Sequence, residues 1–161
     1  MNTREHLLHC FKDEKPRFQR VLKAVPTKEG AYRPHPRSSS AAEIVWLLAS
    51  ELQDACDLMD NGKVDYVQTK PPANLEDAIA AYEKNAAGFE QRLAKVSDQA
   101  WDKNAQFLMD GKVAWEAPLG GMMWGFLFDA IHHRGQLSSY LRPMGGKVPS
   151  IYGPSADDSG M

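Results

Sequence analysis

Apolar residues recur along this chain in four long stretches, at the three-and-four spacing of helices buried on one side. Leu7, Cys10, Phe11, Phe18, Val21, Leu22 and Val25 predict a helix over 3–24, with Thr3 as its N-cap and Pro16 as a kink inside it. Ile44, Leu47, Leu48, Leu52, Ala55, Leu58 and Met59 predict a second from about Ser40 to Asn61, stopped by Asn61-Gly62. A third runs from about Leu75 to Val96 behind an Asn74 cap, its stripe made by Leu75, Ile79, Tyr82, Ala86, Phe89 and Leu93. The last begins after Pro118, where Gly120 and Gly121 permit close packing, and ends at Pro143. It is apolar around most of its circumference, so it must touch several other helices.

Between the helices the pattern breaks. Residues 25–40, with three prolines and a serine run, read as loop, and 62–72 as a linker ended by Pro71-Pro72. A short turn leads from Ser97 into Trp101. Two alternating runs over 104–116 flank Asp110-Gly111, a hairpin signal too short to be more than a small appendage. The tail, 146–161, is irregular, with Ile151 and Tyr152 pinning it to the helices. The expected architecture is all-α: a single four-helix-bundle domain over 1–161, with a small β-hairpin before the last helix.

Two features do not fit a plain bundle. On the last helix, Asp129, His133, Gln136 and Tyr140 fall within about 60° of one another at roughly 100° per residue. Leaving such groups buried and unpartnered costs on the order of 1–3 kcal/mol each. Asp129 and His133 also stand four residues apart, the spacing at which two helical side chains grip one metal ion. On the second helix, Glu51 lies in the middle of the apolar face, although glutamates are rarely buried unless paired. Arg134 points to the opposite side of the last helix and reads as a surface or dimer contact. His6 and His9 read as partly exposed residues of the first helix, and His35, between Pro34 and Pro36, as a loop residue.

Composition narrows the function classes. At 161 residues the chain is long enough to bury a core without staples, and 43% hydrophobic with 25% charged residues is ordinary for a soluble protein. A net charge of −2 offers no basic footprint for nucleic acid or an anionic membrane. Cys10 and Cys56 read as buried apolar residues in a reducing compartment. The charged N-terminus is not a signal peptide, and no apolar run approaches the ~18 residues of a membrane span. The expected location is cytoplasmic.

The helix order, together with HHRGQLSSYLRPMGGKVPSIYGPSADD at the end and RPHPRSSSAAEIVWLLASE around the second helix, resembles the DinB/YfiT-like family over essentially the whole chain. The resemblance implies a four-helix bundle, usually dimeric, in which many members bind a divalent metal through three histidines. One stands on the second helix in a Trp-His dipeptide, and two stand four apart on the last. Characterised relatives include transferases and an isomerase that use low-molecular-weight thiols. This chain departs at two of the three positions: the first of the last-helix pair is Asp129, beside a retained His133, and the dipeptide is Trp46-Leu47. Leucine ligates nothing, and Glu51, one turn on, is the substitute on the same face.

The expected metal set is therefore Glu51, Asp129 and His133, a donor group suited to Zn, Ni, Fe or Mn rather than calcium. Gln136 or Tyr140 would brace these ligands, and His132 would serve as an outer acid or base. Two readings of the site stay open: a metal centre, or a metal-free hydrogen-bonded network that sets helix register. The matching functions are a metal-dependent transferase or hydrolase acting on a small molecule, with a low-molecular-weight thiol as cosubstrate, or a metal-free, non-catalytic ligand-binding or stress-response protein. The second predicts a pocket walled by Trp46, Leu47 and the 122–124 region.

Overall fold

Capping boxes open the first two helices of the computed structural model, which describes residues 2–160; the end residues of the expected 1–161 domain lie outside that range. Asn2 accepts the Glu5 N–H while the Glu5 carboxylate takes the Asn2 N–H, and α1 follows at Thr3–Ala24, continuing through Pro16. The cap is thus Asn2 and not Thr3, whose hydroxyl instead accepts the Trp101 indole N–H at 2.9 Å. Ser40 and Glu43 make the same box at α2, Ala41–Asn61, and Gly62 closes that helix in the left-handed region at φ 69°.

The segment read as a linker holds a strand, β1, Lys63–Tyr66. After it come α3, Leu75–Leu93, capped by Asn74, and α4, Asp98–Asp102, a short helix where the pattern suggested only a turn. Then β2, Asn104–Met109, and β3, Lys112–Pro118, pair antiparallel around Asp110-Gly111, both at positive φ. The last helix, α5, spans Leu119–Tyr140. The hairpin is not a free appendage: β1 pairs parallel with β2, giving a three-stranded sheet in the order β1-β2-β3. Four residues show no usable alternation, and a parallel partner some forty positions away leaves no local mark. The Asp65 carboxylate of β1 accepts the Gly111 N–H at 3.1 Å, tying the strand to the hairpin turn.

Among the described residues the protein is mostly helical, with five α-helices and this small sheet. The helix α2 packs on α3 and α5, α1 packs on the same two, and the sheet lies against α2 and α5. At Gly120 the fit is tight: a Cβ there would stand 2.4 Å from the Trp101 ring, so α4 seats directly on the start of α5. Cys10 and Cys56 are both free. Among the described residues, no helix is long and apolar enough to cross a membrane.

Arg134 corrects the sequence reading. It does face away from the polar ladder, but it is 2% exposed and is neither a surface nor an accessible contact residue. Its guanidinium pairs with Glu14 of α1, lies 4.5 Å over the Phe18 ring, and donates to the Tyr152 hydroxyl. That hydroxyl in turn donates to Glu14 at 2.9 Å. Arg17 and Arg20 donate to the carbonyls of Ile151 and Ser150, so the tail is held along α1 by its backbone as well as by Tyr152. Removing one partner of a buried pair strands the other. Arg134→Ala should therefore cost about 3 kcal/mol or more in denaturant unfolding, and Tyr152→Phe only about 1 kcal/mol. A loss under about 1 kcal/mol in Arg134→Ala would show that the pair is dispensable.

Candidate metal centre

Helix periodicity brings the expected donors together. Glu51 projects from the apolar face of α2 between Leu48 and Leu52, and Asp129 and His133 project from one face of α5, which packs on α2. One potential ligand atom from each of the three lies within 4.8 Å of the others. His133 Nε2 stands 3.2 Å from Asp129 Oδ2. Glu51 is half-buried, His133 less than a quarter exposed, and Asp129 open to solvent on one side. His132 is exposed, its ring edge-on to His133 at 5.1 Å between centroids.

The remaining rungs orient the imidazole. His133 Nδ1 lies 3.0 Å from Gln136 Oε1, Gln136 Nε2 donates to the Tyr140 hydroxyl at 3.2 Å, and that hydroxyl donates to the Ser39 carbonyl at 3.2 Å. The chain runs in one direction only. A backbone carbonyl must accept, so Tyr140 donates there and accepts from the amide. The amide oxygen is then left to accept from Nδ1–H. Nε2 is left facing Asp129, where a neutral imidazole presents a lone pair and an imidazolium a second N–H. A neutral imidazole facing Asp129 is poor electrostatics without a proton or a cation between the two.

Two spaces meet this centre, and a third is lined by Leu47, one turn before Glu51 on α2. Inward, a small cavity of about 20 Å³ is lined by Glu51 and Tyr82 among aromatic and leucine side chains. Glu51 Oε2 and the Tyr82 hydroxyl are the two buried side-chain atoms without a hydrogen-bond partner among the described residues. Outward, Glu51 and Asp129 form the floor of a groove of about 350 Å³ walled by Phe107, Trp115 and Phe126. Gly125 makes room for that wall, since a Cβ there would stand 2.7 Å from the Trp115 ring. Trp46 and Leu47 line a third space, a cleft of about 550 Å³, but its other walls are Arg33, Arg37 and Lys70. The expected wall from 122–124 is absent from it: Met122 and Met123 are wholly buried in the core. The aromatic groove and the basic cleft were not read from the sequence, because their residues come from loops and from a sheet that was only half recognised.

The profile of the DinB superfamily matches residues 11–137. The chain belongs to the DinB superfamily. Among solved structures, it is similar to a DinB-like protein of Bacillus cereus, at 19% identity and a TM-score of 0.74, over 92% of this chain and 97% of that one. It is similar also to a DinB-like protein of Bacillus subtilis, at 16% identity and a TM-score of 0.70, over 88% and 93% of the two chains. A mycothiol-dependent maleylpyruvate isomerase matches at 13% identity and a TM-score of 0.64, over 92% of this chain but 63% of the isomerase. No curated protein matches the sequence. At these identities the structures speak for the fold, and this DinB-superfamily chain's own residues must speak for the site.

Their electrostatics are those of a crowded acid pair. Burial, together with a hydrogen bond to Asp129 and the Asp129 charge, pushes the Glu51 carboxyl up to about 9 from its ordinary 4.5. Burial, and then the Asp57 charge, push neighbouring Asp54 up to about 6 from 3.8. With its carboxyl pushed up to about 9, Glu51 keeps its proton at neutral pH in the metal-free chain. A divalent cation would replace that proton and meet the His133 lone pair. The donor set therefore fits a hard-to-borderline ion. Stability of the chelator-treated protein follows from the raised pKa. The folded state retains a proton that the unfolded chain has released, so stability falls as pH rises from 4.5 toward 9. Between pH 7 and 8.5, above most of the Asp54 titration, unfolding free energy should drop by up to about 1.4 kcal/mol per pH unit. Glu51→Gln should flatten that slope, and an unchanged slope would place the proton elsewhere.

Proposed function

We propose that this DinB-superfamily protein is a metal-dependent enzyme acting on a small molecule, a transferase or hydrolase with a low-molecular-weight thiol as cosubstrate. On this reading the four long helices form the family's bundle, and Glu51, Asp129 and His133 hold a Zn, Ni, Fe or Mn ion. The observation that carries the reading is the convergence of Glu51, Asp129 and His133, one donor atom of each within 4.8 Å of the others, with the imidazole oriented by the Gln136–Tyr140–Ser39 chain. The similarity to an isomerase whose name includes mycothiol dependence supports the thiol.

Each residue has a stated part. Glu51 and Asp129 supply two negative charges that match a divalent cation, and His133 supplies a neutral nitrogen. Gln136 and Tyr140 hold the imidazole in its tautomer and orientation. A bound divalent ion supplies Lewis acidity, which favours the ionised form of a thiol or water and polarises a carbonyl. Trp115, Phe107 and Phe126 exclude water from the apolar part of a substrate lying in the groove above Asp129. His132, exposed beside His133, exchanges the proton with solvent. The protein so described works in the cytoplasm as a homodimer.

Elemental analysis tests the centre on protein purified without a histidine tag. The native chain should carry about one metal per chain, and Asp129→Ala and His133→Ala should each abolish it. Gln136→Ala, which touches no ion, should weaken metal affinity by roughly 10–100-fold while leaving the helices intact by circular dichroism. Unchanged metal content in both ligand variants would remove the proposal.

A further inference from the structure

The cleft lined by Trp46 and Leu47 stands against the charge of the molecule. The chain carries a net charge of −2, yet this cleft has Arg33, Arg37 and Lys70 on its walls against a single carboxylate, Glu43. That carboxylate is already engaged. It accepts the Ser40 N–H at 2.7 Å as part of the α2 capping box and pairs with Arg33 at 3.2 Å. Glu43 is held below its ordinary pKa, chiefly by the Ser40 hydrogen bonds, so it stays ionised and committed to the helix end. Neither Arg37 nor Lys70 has a carboxylate partner among the described residues. The cleft also opens at the N-terminal end of α2, the positive end of the helix dipole. Two cations from two different loops, facing one space of about 550 Å³, make a receptor of small-molecule size.

Its position relative to the acidic centre gives it meaning. Leu47 lines the cleft and Glu51 lies one turn further along α2, a rise of about 6 Å. Tyr66 lines the cleft and stacks on Phe107 at 5.9 Å, and Phe107 is a wall of the groove above Glu51 and Asp129. Ser39 lines the cleft and is the last acceptor of the chain that orients His133. The cleft and the centre thus share one aromatic wall and one hydrogen-bond chain.

We infer that this cleft binds the anionic end of the substrate, a carboxylate or phosphate group held by Arg37 and Lys70, while the rest of that molecule reaches the acidic centre. The inference rests on the proposed metal centre for the reaction, but not for the binding of the anion. Arginine offers a planar fork for an oxyanion and lysine a compact charge, so a tetrahedral phosphate and a planar carboxylate are both within their chemistry. The aromatic wall of Tyr66 and Phe107 accommodates the uncharged body between the two ends.

The test is calorimetric titration at constant ionic strength, with succinate, inorganic phosphate and the neutral succinamide as probes. Each is titrated into chelator-stripped protein and into metal-loaded protein. Succinate or phosphate should bind the stripped protein and succinamide should not, and the stronger of the two anions identifies the headgroup. The double variant Arg37→Gln, Lys70→Gln should weaken that anion by roughly tenfold or more, with metal content unchanged. Equal binding of succinamide, no binding of either anion, or full affinity in the double variant would overturn the inference. Anion binding to a chain that takes up no metal would sink the proposed reaction alone, and metal uptake without anion binding would sink this inference alone.

Discussion

The contact on which the centre depends lies on the opposite side of its helix. Arg134 directly follows His133, and successive residues on a helix point about 100° apart. Locking the Arg134 guanidinium between Glu14, Phe18 and Tyr152 fixes the rotation of α5 about its own axis. That rotation turns Asp129 and His133 toward α2, where Glu51 waits. On a helix so apolar around its circumference, this pair joins the close fits of Gly120 on Trp101 and Gly125 on Trp115 in specifying which face meets which neighbour. The pair's worth against an apolar replacement of equal volume is small, because desolvation offsets most of the attraction. Its effect is on orientation: an α5 rotated by one residue would bury the wrong side chain beside Glu51 and leave Arg134 without its acid.

The same physics explains what could be read from the sequence. Long helices announce themselves through the spacing of their apolar residues and through caps, and α1, α2, α3 and α5 were legible to within a few residues at each end. Glu51 and the Asp129–His133 pair were legible because a polar group on an apolar face is an exception that needs a partner. Glu14 carried the same signal, standing between Phe11 and Phe18 on the α1 stripe, and it passed unread. Without it, Arg134 had no visible partner and looked like a surface residue. The strand β1 was illegible for another reason: its pairing with β2 spans distant segments and depends on α2 delivering Lys63 beside Gln106. The basic cleft was hidden likewise, since Arg37 and Lys70 sit in two separate loops whose meeting is a property of the fold.

What the structure adds to the polar ladder is direction. Hydrogen bonds running from His133 to the Ser39 carbonyl all point away from the centre, so each rung strengthens the next and holds Nε2 facing Asp129. A proton on Glu51 relieves the crowding in the metal-free chain, and a cation would relieve it while also satisfying the imidazole. Proton and metal therefore compete for one place, and the burial that raises the Glu51 pKa is the burial that would strengthen its hold on a divalent ion. In the cleft lined by Leu47 the sign of the charge reverses, with Arg37 and Lys70 of the flanking loops on its walls. A molecule with an anionic end and a softer, electron-donating end would meet each where its own charge is favoured. Such opposed ends orient a substrate before any reaction, which is the part of the work that belongs to the chain itself.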